Sequence, residues 1–463
     1  MMSISIKSNS IVIPSEPTPS GLLQLSESDQ VAQWTHAPAI HIYKSNNNNN
    51  NIPFSFEKMK NALSRALVHF YLLAGRLRWI EGGRLELDCN VMGVQISEAY
   101  ADAKLDELGD FAPTGVVEDL VPKIDYTTPI EEWPLFLAQL TRFSCGGICV
   151  GTAVSHTMAD GLSATNFINS WAKLARGCDL EDNEIPFLDR TVLRSSKRLM
   201  KLRFDHITYT TKSPLVIGSL DAKEEQKKET SVTLLKLTRE QVEGLKNRAN
   251  NETPYQENGV STIRPYSRYE AISGHMWRCA CKVRRVADHD NQPTRVRILV
   301  DVRNRLNPPL PQQYFGNAIC ATVTSTCLYG DLLSKPLGYS AGKLREAIET
   351  VTDEYIMSNL DFIASQKHVG GLRNSFHIRG LGTEAPFLGN PNLSLGSWMN
   401  LPVYDTDFGW GKPTYVGPGL LNMDGKSFIL PSPLNDGSLI IAFRLQTQHM
   451  DSFKKFFYED LAI

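Results

Sequence analysis

Ile148-Cys149-Val150-Gly151-Thr152-Ala153-Val154 runs directly into Ser155-His156-Thr157-Met158-Ala159-Asp160-Gly161. The first seven residues form an apolar run that reads as a buried strand. After Gly161, apolar residues recur at Leu162, Phe167, Ile168, Trp171 and Leu174, which is helical spacing. A histidine therefore sits where a strand ends and a helix begins. There a rigid scaffold can aim the side chain while its far edge faces a cleft. With an unperturbed pKa of about 6.5, imidazole can take and return a proton near neutral pH. Asp160 can either touch the ring or turn away and fix the bend. A lone His-x-x-x-Asp is common by chance, so the rest of the chain must decide its meaning.

Upstream, residues 135–143 alternate as a strand and lead through Gly146-Gly147 into the one before His156. Residues 84–89 alternate too, after the hairpin signal Gly82-Gly83. The spacing of Met59, Leu63, Ala66, Leu67, Phe70 and Leu73 predicts one helix over 56–77, with Gly75 marking its exit. Residues 36–43 read as a strand with Ile40 and Ile42 on one face, and 46–51 are a polar loop of asparagines. Downstream, 176–221 is charged, proline-punctuated and weakly periodic, which suits a crossover between halves. A charged loop is expected over 221–229, a strand over 230–237 and a helix over 238–250 opening on Thr238-x-x-Gln241. Further helices are expected at 267–282 behind a Ser267 cap, at 340–362 as one long element, and at 450–461. Strands are expected at 296–302 and 318–326. Strands and helices alternate in both halves, so the class is mixed α/β, and 463 residues exceed one ordinary core.

The chain carries 48 basic and 50 acidic residues for a net charge of −2, which gives no electrostatic reason to expect nucleic acid or an anionic membrane. No apolar run reaches the ~18 residues that span a bilayer, and 1–13 lacks a signal-peptide pattern, so the cytoplasm is the expected address. The eight cysteines are scattered without C-x-x-C or paired zinc spacing, and are expected reduced. The ten histidines form no metal-binding helix pattern, and no phosphate-cradling glycine loop is present. Gly338-Tyr339-Ser340-Ala341-Gly342 matches a nucleophile elbow, but Ser334-Lys335-Pro336-Leu337 before it is no buried strand, so Ser340 reads as a helix cap. In Asp407-Phe408-Gly409-Trp410-Gly411-Lys412, two glycines around a tryptophan predict a sharp loop packed by Phe408 and Trp410, with Asp407 a turn residue.

The segment from His156 to Gly161, with Asp407-Phe408-Gly409-Trp410-Gly411 about 250 residues later, resembles the signature pair of the plant BAHD acyl-CoA-dependent acyltransferases. Ala74-Gly75-Arg76-Leu77, Gly274-His275-Met276-Trp277-Arg278 and Tyr314-Phe315-Gly316-Asn317 extend the resemblance over essentially the whole chain. Pro186-Phe187-Leu188-Asp189-Arg190 and Gly389-Asn390-Pro391-Asn392-Leu393 make it most similar to those members that acylate spermidine.

The resemblance implies an α/β fold of two chloramphenicol-acetyltransferase-like domains, 1–175 and 222–463, joined by a crossover over 176–221, with a channel at their interface. It implies His156, Asp160 and Asp407 as the catalytic set, with His156 the base and Asp160 turned away onto Arg303. Phe408, Gly409, Trp410 and Gly411 are implied as a structural motif. His36, Trp398, Ser397 and Asn400 are expected on the substrate side, with the Trp398 N–H as candidate oxyanion donor. Ser267 and Arg268, at a helix start, can meet a CoA phosphate or form an ordinary cap. The expected reaction moves a hydroxycinnamoyl group from CoA to the amines of spermidine; the alternative acceptor is shikimate, quinate or another alcohol. Polyamine cations would need carboxylates or aromatic faces around them, for which Glu384 is the first candidate and Asp353, Glu354 and Asp361 follow. CoA is a co-substrate, and no cofactor, metal, nucleic acid or membrane is expected as partner; the expected state is a monomer. A hydrolase and a non-catalytic binding module are the readings from other classes.

Overall fold

The computed structural model describes residues 2–45, 54–195, 204–210, 212–220, 222–251, 264–285, 289–374 and 389–461. Strand Ile148–Ser155 is buried along its whole length because it lies inside a six-stranded sheet. Across that sheet the order is Ile4–Val12, Val94–Ala101, Phe136–Phe143, Ile148–Ser155, His36–Tyr43 and Tyr415–Pro418. A second six-stranded sheet runs Ile319–Val323, Val296–Asp301, Leu393–Ser397, Lys426–Pro431, Leu439–Gln446 and Thr230–Leu237.

Each sheet packs its own helices. Helix Gly161–Ala175 buries Phe167, Ile168 and Trp171 against helix Phe56–His69, and the Trp171 indole donates to the Met59 carbonyl at 3.0 Å. Phe136 meets Phe167 edge-on at 4.9 Å, tying that helix to the sheet. Arg268–Arg284, Leu337–Glu349 and Thr447–Glu459 share a core with Val296, Ile298, Leu393, Leu395 and Ile429 of the second sheet. A third cluster joins the sheets, with Ile40, Ile42 and Tyr415 of the first against Leu430, Ile440 and Ala442 of the second.

Tyr415–Pro418 crosses the expected division of the chain. It belongs in sequence to the second half, yet pairs antiparallel with His36–Tyr43 in the first sheet, Tyr415 opposite Ile42. The Asp407–Gly411 loop leads into it and is carried onto the first half with it. Over 176–221, where a crossover was expected, the described residues hold only short helical turns, and Phe187 makes an isolated bridge to Tyr314.

Several expected elements differ. The helix expected over 56–77 ends at His69; Tyr71–Ala74 is a 3₁₀ turn and Arg76–Ile80 is a strand paired with Arg84–Cys89. At Gly75 a Cβ would stand 2.5 Å from the Asp88 carbonyl oxygen, so the sheet closes too tightly there for another residue. The helix expected over 340–362 is two, Leu337–Glu349 and Asp353–Ser365, because Thr352 caps a new start by accepting from the Tyr355 amide. Ser340 is no cap: it is buried inside the first of these helices and donates to the Leu337 carbonyl at 3.0 Å. The charged loop expected over 221–229 contains a short helix, Lys223–Lys227. Ile4–Val12 and Val94–Ala101 pair antiparallel in a sheet edge that the sequence reading did not find. The asparagine loop lies largely outside the described residues. All eight cysteines are free, six of them buried. Among the described residues, no helix is long and apolar enough to cross a membrane.

Candidate active site

The end of strand Ile148–Ser155 fixes the His156 backbone, whose amide donates to the Thr35 carbonyl at 3.1 Å. Four residues later Asp160 caps helix Gly161–Ala175 by accepting from the Ser163 amide at 2.9 Å. Its other oxygen accepts from the Ala318 amide at 2.9 Å and lies 2.9 Å from Arg303 Nη2. The carboxylate is thus spent on the scaffold. This turn conformation is favoured locally, because Asp is a strong N-cap and Gly161 follows it with no side chain to crowd Leu401.

The His156–Asp160 loop is held by residues from distant parts of the chain. Asn317 Nδ2 donates to the carbonyls of His156 at 2.8 Å and Thr157 at 3.0 Å. Its amide and Nδ2 both reach Asp29 Oδ1, and Asp29 Oδ2 pairs with Arg190 at 2.7 Å in full burial. Arg190 in turn donates to the Met158 carbonyl at 2.8 Å. Ser163 Oγ accepts from Arg303 and from the Gly316 amide. Charges so buried are tolerable only because each is paired and hydrogen-bonded. Asp29, Arg190, Ser163 and Asn317 were not singled out as site residues from sequence. The available signal for Arg190 and Asn317 was that their stretches carry the family resemblance.

His156 is half-buried. Burial pushes its pKa below the ordinary imidazole value; its own backbone pulls against this, the positive charge of Lys426 adds to the lowering, and Asp160 and Asn317 pull weakly the other way. The ring is therefore neutral at pH 7. Nδ1 is buried without a hydrogen bond among the described residues, whereas Nε2 is neither buried nor bonded and is the edge open to a ligand. No described serine or cysteine hydrogen-bonds to the ring, and burial raises the Cys149 thiol far above any nucleophilic range.

Asp407 Oδ1 accepts from the amides of Gly409 at 2.7 Å and Gly411 at 3.0 Å, both glycines having positive φ. Its carbonyl accepts from Arg176. Phe408 packs edge-on to Trp171 at 4.8 Å, and Trp410 to Tyr43 at 5.4 Å. The loop is a peg from the second half driven into the core of the first, and Asp407 holds its bend.

On the other sheet, Trp398 stacks obliquely on Phe428 at 5.3 Å, and its indole N–H makes no hydrogen bond among the described residues. Lys426, missed from sequence because it sits in an ordinary strand pattern, lies 5.5 Å from the same Phe428 ring. Ser397 and Asn400 are exposed, and the Ser397 hydroxyl accepts from Met399. His36 departs from its expected role. Its Nε2 is bound to the Pro134 carbonyl at 2.8 Å and its Nδ1 to the Tyr126 hydroxyl at 3.1 Å, so no ring nitrogen remains for a substrate. Ser267 caps Arg268–Arg284, but its hydroxyl and amide both engage Glu270, leaving only the exposed Arg268 to meet a phosphate there. Asp353 accepts from the Asn307 amide and Asp361 from the Ser195 hydroxyl at 2.5 Å. Glu384 lies outside the described residues.

A neutral imidazole with its Nε2 open, and with no described serine or cysteine hydrogen-bonded to it, suits direct group transfer between two bound substrates. Fold and site together suit an acyltransferase built on two sheets, with His156 as its candidate base. The model of the Transferase family matches residues 2–460, and the chain belongs to that family, the BAHD-type acyltransferases that its two signature motifs resemble. The chain is 49% identical to a hydroxycinnamoyl-CoA:piscidic acid hydroxycinnamoyltransferase of Actaea racemosa, over 99% of this chain and 100% of that one. It is 41% identical to a shikimate O-hydroxycinnamoyltransferase of Nicotiana tabacum, again over 99% and 100%. Among solved structures, vinorine synthase shares the fold with a TM-score of 0.68 at 23% identity, covering 97% of this chain and 96% of that one.

Proposed function

We propose that the protein transfers a hydroxycinnamoyl group from CoA directly to a hydroxyl or amine of a small acceptor, with His156 as general base. The observation that carries this is the open Nε2 of a neutral, scaffold-held imidazole to which no described Ser or Cys is hydrogen-bonded. The acceptor atom attacks the thioester carbonyl while Nε2 takes its proton. The tetrahedral intermediate then collapses, the C–S bond breaks, and the imidazolium returns the proton to the departing thiolate. Such acid–base help is worth ~10²–10⁴-fold. The unbonded Trp398 N–H is the candidate donor to the oxyanion, a role worth ~3 kcal/mol where such donors have been removed. The names of the two relatives support the hydroxycinnamoyl donor.

Spermidine is the acceptor that the local sequence likeness suggests. It would have to bring its remaining cations past Lys426, whereas the relatives' names print acids or their carboxylates as acceptors. The test mixes purified protein and p-coumaroyl-CoA with piscidic acid, shikimate, quinate or spermidine, and follows free thiol and product mass. Thiol release only when an acceptor is present, with no acylated protein by intact mass, is expected. Hydrolysis without acceptor, or a stable acyl-enzyme, would overturn direct transfer.

A further inference from the structure

The backbone carbonyls of His156, Thr157 and Met158 follow one another, and each is taken by a side chain from a distant part of the chain. Asn317 Nδ2 donates to the first two at 2.8 and 3.0 Å, and Arg190 Nη2 donates to the third at 2.8 Å. Both donors end on one carboxylate. Asp29 Oδ1 accepts from the Asn317 amide at 2.9 Å and from its Nδ2 at 3.0 Å, while Asp29 Oδ2 accepts from Arg190 Nη1 at 2.7 Å. Asp29 lies on the short helix Glu27–Gln30, and Arg190 opens the 3₁₀ turn Arg190–Leu193. Asp29, Arg190 and Asn317 are each at most 2% exposed.

A buried ion pair is a poor way to gain stability, since apolar residues of similar volume often serve the fold as well. Here such a replacement would strip donors from carbonyls beside the base. The His156 ring has no tether on its buried side, where Nδ1 makes no hydrogen bond. The direction of Nε2 therefore follows from the backbone that carries the ring. That backbone is fixed on one side by the His156 amide on the Thr35 carbonyl at 3.1 Å, and on the other by the three carbonyls. Asp29 also settles which way the Asn317 side chain faces. A carboxylate only accepts, so it draws Nδ2 and turns Oδ1 away. Nδ2 is the group that reaches the His156 and Thr157 carbonyls.

We infer that Asp29 is a positioning residue of the transfer step: through Asn317 and Arg190 it holds the backbone of the base so that Nε2 meets the acceptor's proton. The inference rests on the transfer reading above and adds a residue that governs its rate. Asp29, Arg190 and Asn317 are too buried to meet a substrate, so their loss falls on kcat and not on KM.

The experiment pairs Asp29→Asn with Arg190→Met, which removes both charges together and leaves no buried ion unpaired. Kinetics use p-coumaroyl-CoA with whichever of piscidic acid, shikimate, quinate and spermidine the wild type acylates. The double variant is expected to keep both KM values near wild type and to lose kcat by about ten- to a hundredfold, the loss that a small misplacement of reacting groups brings. Arg190→Lys keeps a charge beside Asp29 but replaces the two-armed fork with one ammonium, so it should recover the melting temperature and not kcat. Thr352→Ala, which removes the cap of the remote helix Asp353–Ser365, should lower the melting temperature and leave kcat unchanged. The ring is followed directly by the carbon NMR signal of its Cε1 in histidine-labelled protein, identified as the signal missing from His156→Ala. It should shift or broaden in the double variant and stay in place in Thr352→Ala. Asp29→Asn alone serves if the double variant misfolds. Wild-type kcat in the double variant, a kcat that merely tracks melting temperature across the set, or lost kcat with an unmoved ring signal would each overturn the positioning role. If the wild type acylates none of the four acceptors, the transfer reading falls; a ring signal that still moves upholds the hold of Asp29 on His156, and one that does not overturns it.

Discussion

Arg303 Nη2 lies 2.9 Å from Asp160 Oδ2, and both side chains are almost wholly excluded from solvent. The pair joins the first helix after His156 to the strand–turn segment of the second half, so it is an inter-half clamp set four residues from the base. Asp160→Ala leaves the buried Arg303 with only the half-exposed Asp301, at 3.2 Å, as its partner, which costs up to ~3–5 kcal/mol. Urea unfolding of Asp160→Ala, Arg303→Met and the double variant checks this. The double variant should be less damaged than the sum of the singles, and strict additivity would remove the pair as a coupled unit.

His156→Ala is expected to fold normally, because its ring makes no hydrogen bond among the described residues. It should lose ~10²–10⁴-fold in kcat. A well-folded variant that keeps more than about a tenth of the wild-type rate would exclude this residue as the base.

The pH profile depends on the same ring. Burial and Lys426 both hold the His156 pKa below 6.5, so the acidic limb of kcat/KM lies below that value. Since Lys426 lowers the pKa, Lys426→Met should raise it and move the limb to higher pH. Rates measured between pH 4.5 and 8 decide it, and a limb that stays in place or moves down contradicts the electrostatic link.

His36, His41 and His275 are buried with pKa values pushed down to about 4, chiefly by burial. The unfolded chain protonates them near 6.5, the folded chain only near 4. Between those values the unfolded state binds more protons, so stability is full above 6.5 and falls as pH drops. The slope is up to about 1.4 kcal/mol per pH unit for each proton. Urea midpoints across pH 4–7 should decline, and His275→Gln should make the decline shallower; a flat curve would be the contrary result.

Asp407→Ala removes the acceptor for two glycine amides and should cost ~1–3 kcal/mol by leaving them unpaired. Thermal melts and acyl-CoA kinetics on the same sample separate the roles. Lost activity with an unchanged melting temperature would make Asp407 a participant in the chemistry rather than the holder of a bend.

The pattern of residues on one strand or one helix was readable wherever a single periodicity governed. Strand 36–43 and strand 84–89 fall where their alternation puts them, and the helix after His156 begins at its aspartate cap. Periodicity failed at 56–77 and 340–362 because apolar spacing runs on through a break. The helices end at His69 and Glu349, and Thr352 starts a new one by capping, which hydrophobicity does not register. Ile4–Val12 escaped notice because an edge strand shows most of its side chains to water and so lacks an apolar stripe.

For the site, sequence alone pointed to the candidate base and determined its aspartate cap and the glycine-bound loop, since each is a local arrangement of a few neighbouring residues. Only the tertiary structure decided what surrounds them. Asp29, Arg190, Asn317 and Arg303 meet the His156 loop from positions up to 161 residues away. Lys426 and Arg297 become a cationic row only through the register of three parallel strands. Parallel pairing carries no local signature of which residues stand abreast, because long crossovers separate the partners. Which side chains stand abreast there is therefore a property of strand register, while the placing of His156 is a property of one strand end.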